Sequence, residues 1–361
     1  MKIRLLKIID RLAGVLIASC LPSAPVRPFQ SPRRILIIRP GGIGDAVLLA
    51  PSINAINTSY PDSRITILAE RRNCGVFALM PRVSRVLCYD RPGELIRAAL
   101  GLYDAVIDTE QWHRLSAVIA RLVRAPMKIG FDTNERRRMF THRIGYDLSA
   151  YEPDNFALLL KPLGVDCQRK AETASLSLPP QAMSKARHLL HPLGSGSFVV
   201  IFPGASIPEK RWGGGRFTLV AKRLAEAGYK IVVVGGKEER GDGDMIAGEA
   251  GLNLAGMTTL AETAAVIARS SLVISGDSGV LHIAAGLDIP TVSLFGPSSE
   301  TKWAPRGERH VALNHHLSCS PCTKFGTMPP CPIKSRCIRD ISPDEVMAAT
   351  LLLLSLPAEK K

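Results

Sequence analysis

Three glycine-bearing stretches carry the side chains best suited to phosphate and proton chemistry. The first is Arg39-Pro40-Gly41-Gly42-Ile43-Gly44-Asp45, which follows an apolar run. Gly41, Gly42 and Gly44 permit a tight turn and a close approach of substrate to backbone, and the amino end of the helix beyond favours negative charge. Asp45 has two readings there, a helix cap or a carboxylate that accepts a proton from a hydroxyl. The spacing is GGxGD, which is not the dinucleotide fingerprint GxGxxG. The second stretch runs Phe202-Pro203-Gly204-Ala205-Ser206 to Glu209-Lys210-Arg211-Trp212. Lys210 and Arg211 are either cations for a departing pyrophosphate or a solvated basic pair, and Trp212 reads as packing. The third, Gly276-Asp277-Ser278-Gly279-Val280-Leu281-His282, joins a strand to a helix through small residues. That geometry offers free backbone amides and a positive dipole end to a phosphate. Asp277 points to the same place, while His282 is either a phosphate contact or a core histidine. Glu238 and Glu239 follow a further strand after Gly235-Gly236, where acids bind ribose hydroxyls or simply face water.

These residues need elements to hold them. Ile35-Leu36-Ile37-Ile38 is an unbroken apolar run, the mark of a strand buried on both faces of a parallel sheet. Strands are expected again at Arg64 to Leu68, Arg85 to Tyr89, Ala105 to Asp108 and Lys128 to Gly130, with helices at Asp45 to Thr58 and Trp112 to Val123. The second half repeats the scheme, with strands at Phe198 to Phe202, Lys230 to Val234, Leu272 to Ser275 and Thr291 to Phe295. Alternating strand and helix predicts an α/β architecture of two facing, doubly wound parallel-sheet lobes with a ligand cleft between them. The expected divisions are an amphipathic amino-terminal extension and linker over 1–33, a Rossmann-like lobe over 34–185, and a second over 186–361 carrying a cysteine cluster and a last helix near Pro343 to Leu354.

Composition narrows the partners. The 361 residues carry a net charge of +14, 46% apolar residues and 5% aromatics. A basic protein attracts phosphates on lipids, nucleotides or nucleic acid; the basic residues are scattered and no nucleic-acid motif accompanies them, so nucleic acid is not an expected partner. No apolar run reaches the ~20 residues that span a bilayer. Apolar Leu5, Leu6, Ile8, Ile9, Leu12, Val15 and Leu16 recur at helical spacing among Lys2, Arg4, Lys7 and Arg11. The pattern fits a basic helix on a membrane interface or packed on the protein, with a signal sequence ending near Cys20 as the alternative. Cys319, Cys322, Cys331 and Cys337 suggest structural zinc or redox pairs, but their spacing is irregular, so neither a metal nor any other cofactor is expected.

Taken together, Ile35 to Pro51, Phe202 to Trp212, Val232 to Glu239 and Ser275 to Gly296 resemble the glycosyltransferase family 9 enzymes, the ADP-heptose:lipopolysaccharide heptosyltransferases. The resemblance covers roughly Arg34 to Met347. It implies a GT-B fold whose first lobe serves the acceptor and whose second binds a nucleotide sugar. It also implies inverting, metal-independent transfer of heptose from ADP-heptose to a lipopolysaccharide core or other lipid-linked saccharide. Asp45 then matches the family's base. Lys210, assisted by Arg211, matches its phosphate-binding lysine, and Asp277, Ser278, Gly279, Val280 and His282 its donor loop. Glu238 or Glu239 falls near its ribose-binding glutamate. A cytoplasmic enzyme, peripheral on the inner face of an anionic membrane, is the expectation. A family 9 transferase using another nucleotide sugar is the nearest alternative; an α/β enzyme of another class, such as a nicotinamide oxidoreductase, or a non-catalytic membrane scaffold fits the residues less well.

Overall fold

The computed structural model describes residues 9–20, 31–166, 175–325 and 327–357, with no side-chain description at 11, 12, 16 and 18. The chain divides into two compact units, Met1–Arg169 and Lys170–Lys361.

In the first unit the described residues form a six-stranded sheet of β1 (Arg34–Arg39), β2 (Arg64–Ala69), β3 (Val83–Cys88), β4 (Ala105–Asp108), β5 (Met127–Phe131) and β6 (His142–Ile144). Its order is β3-β2-β1-β4-β5-β6, and every neighbouring pair is parallel. Ile35 to Ile38 are buried because helices cover both faces of the central strand. One face packs Leu36, Ile38, Leu68 and Val106 against Ala117 and Ala120 of the helix Arg114–Leu122. At the amino-terminal ends of the strands, the Asp104 carboxylate accepts from the backbone amides of Arg33 and Arg34, both at 2.8 Å, and clamps β1 to β4.

The second unit repeats this plan with β7 (Phe198–Phe202), β8 (Lys230–Val233), β9 (Leu252–Asn253), β10 (Leu272–Gly276), β11 (Thr291–Leu294) and β12 (His310–Leu313). The order is β12-β11-β10-β7-β8-β9, again parallel throughout. Read from either sheet's third strand in sequence, both units have the 3-2-1-4-5-6 order of the Rossmann fold. In such a sheet the order reverses between the first and fourth strands, and ligands gather beyond their carboxyl ends. Those places are β1/β4 in the first unit and β7/β10 in the second. The last helix, Pro343–Ser355, sets Val346, Met347 and Leu353 against Phe217, Val220 and Leu224 of the helix Gly214–Glu226.

Two boundaries differ from expectation. The division falls at Arg169/Lys170 rather than 185/186, because the helix Pro180–Leu190 packs on the helix Leu260–Ile267 of the second unit. Of the expected extension over 1–33, the described helical part packs on the first unit, while 1–8 and 21–30 lie outside the described residues. Asp10–Gly14 and Val15–Cys20 are helical and pack on the first unit. Buried Asp10 accepts from the backbone amides of Arg114 and Leu115, both at 2.7 Å, and so caps a helix a hundred residues away. Arg138 adds a bond to the Ser19 carbonyl at 2.8 Å. The basic residues Lys2, Arg4 and Lys7 lie outside the described residues. Among the described residues, no helix is long and apolar enough to cross a membrane.

Candidate active site

In the first unit β1 ends at Arg39, and the chain turns through Gly41, whose φ of +104° only glycine adopts without strain. The Gly41 amide donates to Glu70 at 3.1 Å. The short helix Ile43–Val47 begins after Gly42, so Asp45 lies in its first turn and is not its cap residue. A Cβ on Gly42 would sit 2.9 Å from Asp45 Oδ2, so that glycine gives the carboxylate its space. Asp45 is half-buried.

In the second unit the turn Pro208–Lys210 follows β7, and Asp277 follows β10. The two side chains meet: Lys210 Nζ lies 2.6 Å from Asp277 Oδ2, each about one-eighth exposed (13% and 12%). A Cβ on Gly276 would stand 3.3 Å from the Lys210 carbonyl, so the close approach of the two loops depends on that glycine. Buried His282 places Nε2 3.9 Å from the other Asp277 oxygen. Burial pushes the Asp277 carboxyl up, but Lys210 first and His282 next outweigh it and hold the group below its ordinary value. Ser278 caps the helix Gly279–Gly286 by accepting from the Leu281 amide at 3.2 Å and shares a 2.7 Å bond with Ser275. The first-turn amides of such a helix, at Gly279 and Val280, have no intrahelical carbonyl to reach. Val280 turns its side chain into the core, so only its backbone faces a ligand.

The family model described as glycosyltransferase family 9 (heptosyltransferase) matches residues 94–331, more than half of the chain. The chain belongs to glycosyltransferase family 9. Lipopolysaccharide heptosyltransferase 3 of Escherichia coli is 29% identical over 291 residues, which span 73% of this chain and 83% of that one. A solved family 9 glycosyl transferase from Veillonella parvula superimposes with a TM-score of 0.74 at 22% identity, covering 89% of this chain and 97% of the other. An E. coli heptosyltransferase solved with ADP-2-deoxy-2-fluoro heptose gives 0.69 at 19% identity over 88% and 99%. The two Rossmann-like units are therefore those of a GT-B glycosyltransferase.

Within this family 9 chain the remaining expected residues separate. Arg211 is two-fifths exposed, with Nη2 3.6 Å from Glu239 Oε1. Glu239 is buried, accepts from the Gly236 amide at 2.8 Å and supports the Gly204 turn, where a Cβ would lie 2.6 Å from its Oε1. Glu238 stands in solvent. Lys210, Asp277 and His282 thus form one group, Arg211 and Glu239 a second, and Glu238 joins neither. Trp212 is core: its Nε1 donates to the Ile341 carbonyl at 2.8 Å and its ring meets Phe217 edge-on at 4.8 Å. The thiols of Cys319, Cys322, Cys331 and Cys337 are free. Among the described residues, no group of three or more His, Cys, Asp or Glu is arranged to hold a metal ion.

The sequence reading missed a polar network beneath the Asp45 turn. Buried Arg39 donates to the carbonyls of Pro40 (2.6 Å) and Thr109 (2.9 Å) and pairs with Glu110 at 3.3 Å. Fully buried Glu152 accepts from Gln111 (2.5 Å) and Tyr146 (2.8 Å). Asp108 and Arg136 form a fully buried pair at 2.6 Å. The available signal was position: Arg39 and Asp108-Thr109-Glu110 close the two strands that meet where the sheet order reverses.

Proposed function

We propose that this glycosyltransferase moves a heptose from ADP-heptose to a lipopolysaccharide core or related lipid-linked saccharide, in one inverting displacement that needs no metal. The observation that carries the reading is Lys210, oriented by Asp277 at the start of the helix Gly279–Gly286. An ammonium has three donors, and Asp277 engages one, leaving others to meet an incoming diphosphate. The amides of Gly279 and Val280 and the Ser278 hydroxyl add neutral donors, so the leaving nucleotide departs with its charge compensated. Arg211 supplies a second cation, His282 steadies Asp277, and Glu239 or Glu238 meets the ribose. From the first unit, Asp45 takes the proton of the attacking hydroxyl as it bonds to the anomeric carbon, on the face opposite the diphosphate. The Gly41, Gly42 and Gly44 turn lets the acceptor approach.

The ADP-heptose assignment is supported by the heptose analogue bound to the E. coli enzyme of like fold, and the acceptor by the name of the E. coli relative. The charge of +14 suits an anionic membrane surface where such acceptors reside, and a nucleotide-sugar donor places the work on its cytoplasmic face. The test joins Asp45→Ala to a panel of nucleotide sugars. Transfer is expected to fall to background in the variant while calorimetry finds donor affinity unchanged. Loss of donor binding instead would make Asp45 a structural residue, and a melting point raised by a UDP- or GDP-sugar but not by ADP-heptose would replace the donor.

A further inference from the structure

In the second unit Arg216, Lys334, Arg336 and Arg339 meet around a hollow of about 360 Å³. They come from two distant stretches of chain. Arg216 stands in the first turn of the helix Gly214–Glu226, and its guanidinium donates to the Trp212 carbonyl at 3.1 Å. The other three lie on a loop and the short helix Arg336–Arg339 that follows it. Lys334 and Ser335 both take left-handed backbone there, with φ of +49° and +58°. Residues with a side chain adopt that conformation only where their surroundings enforce it. Here the Ser335 amide donates to the Cys331 sulfur at 3.2 Å, the Ser335 carbonyl accepts from the Arg339 amide at 3.0 Å, and buried Cys337 and Ile338 anchor the helix below. Arg339 Nη1 reaches back to the Lys334 carbonyl at 3.5 Å.

The charges in this hollow do not balance. Asp340 is the one carboxylate that lines it, and Arg336 already holds Asp340 at 2.9 Å. Among the described residues, Arg216, Lys334 and Arg339 form no ion pair with a carboxylate. Like charges gathered in one concavity repel, and solvent screens them only in part. A chain of +14 has basic surface to spare, but scattered surface charge needs neither a hollow nor enforced backbone to present it. Lys210, Arg211, Asp277 and His282 are not among the residues lining the hollow, so it stands apart from the group proposed for the sugar donor.

We propose that this hollow is a second phosphate site, which takes a phosphate monoester borne by a ligand other than the donor. Such a group carries about two negative charges at neutral pH and three acceptor oxygens, set here against three cations that lack a carboxylate. The arginine forks match phosphate oxygens in pairs, and Lys334 adds a point charge at the rim. The inference does not depend on how the donor or Asp45 is read.

The experiment titrates inorganic phosphate by calorimetry at low salt into Lys210→Met, chosen so that the donor group contributes no ammonium, and into the same chain carrying Lys334→Gln and Arg339→Gln. Both added substitutions fall on exposed side chains. Phosphate is expected to bind Lys210→Met and to weaken about 10- to 100-fold in the triple variant, the effect of losing charge-assisted bonds. In the otherwise unchanged chain, Lys334→Gln with Arg339→Gln should melt no lower than the parent when phosphate is absent, because repulsion has been relieved. Flotation with vesicles of phosphatidylcholine and phosphatidic acid that this double variant loses assigns the phosphate to a lipid headgroup. Phosphate binding with equal flotation of parent and double variant assigns it to a soluble or saccharide-borne phosphate. Absence of phosphate binding in Lys210→Met, equal affinity in the triple variant, or a double variant that melts lower without phosphate overturns the proposal.

Discussion

Replacing Lys210 by Met keeps the length of the side chain and removes its charge, leaving Asp277 as a carboxylate about one-eighth exposed without its 2.6 Å partner. Breaking a fully buried pair costs about 3–5 kcal/mol; with this much solvent access the expected loss at neutral pH is about 2 kcal/mol. The loss should depend on pH in a definite sense. In the native protein Asp277 sits below its ordinary 3.8: burial opposes this, and Lys210, then His282, overcome it. Its contribution to stability is thus complete above pH 3.8 and disappears only as pH falls through the lower folded value. Without Lys210 burial prevails and the carboxyl moves above 3.8. The variant's deficit is therefore greatest at neutral pH and shrinks on acidification, as the stranded carboxylate takes up a proton. Paired thermal melts from pH 7.5 to 5 test this. Donor titration should weaken about 10- to 100-fold, the worth of one charge-assisted hydrogen bond to phosphate. A deficit constant across that range, or an unaltered donor affinity, would refute the pairing argument.

Three further outcomes follow from single contacts. Gly41→Ala puts a side chain at φ +104° and 3.2 Å from Arg39 Nη2, so we expect about 1–3 kcal/mol of lost stability in denaturant melts and a larger relative loss of transfer than of donor binding. Asp10→Ala strips the helix Arg114–Leu122 of its cap at a cost of about 1–2 kcal/mol, with faster hydrogen exchange at the Arg114 and Leu115 amides as its signature. Burial raises the Cys337 thiol to about 11, with repulsion from the Cys322 thiolate next, whereas a backbone bond from Ser335 foremost lowers that of Cys331. Timed alkylation at pH 7.5, read by mass spectrometry, should modify Cys331 well before Cys337.

The central strands were legible because burial on both faces leaves a run dominated by apolar residues: β1, β2, β4, β7, β8 and β10 all lie within a residue or two of their expected places. The strands that escaped notice, β6 (His142-Arg143-Ile144), β9 (Leu252-Asn253) and β12 (His310 to Leu313), are sheet edges. An edge strand is short, half in solvent and mixed in composition, so no periodicity marks it. The same division holds at the site. Lys210 and Asp277 lie 67 positions apart, yet both follow strands that adjoin where the order reverses, and strand order is deducible from βαβ alternation. Arg39 with Glu110, or Gln111 with Glu152, offered no such clue, because a polar residue in a loop looks alike whether it meets water or another buried side chain. Asp10 was visible only as a charge at the rim of an apolar segment; its partners are amides in a distant helix, and backbone groups leave no trace in composition.

The Asp104 clamp has a practical corollary. With all strands parallel, the Asp45 turn lies at one end of the first unit's sheet, while Arg33, Arg34, Arg64 and Asp104 occupy the other, around a hollow of about 670 Å³. A fluorophore or an immobilising linker attached near Asp62 would therefore report on this unit, or anchor it to a support, from the side remote from its Asp45 turn.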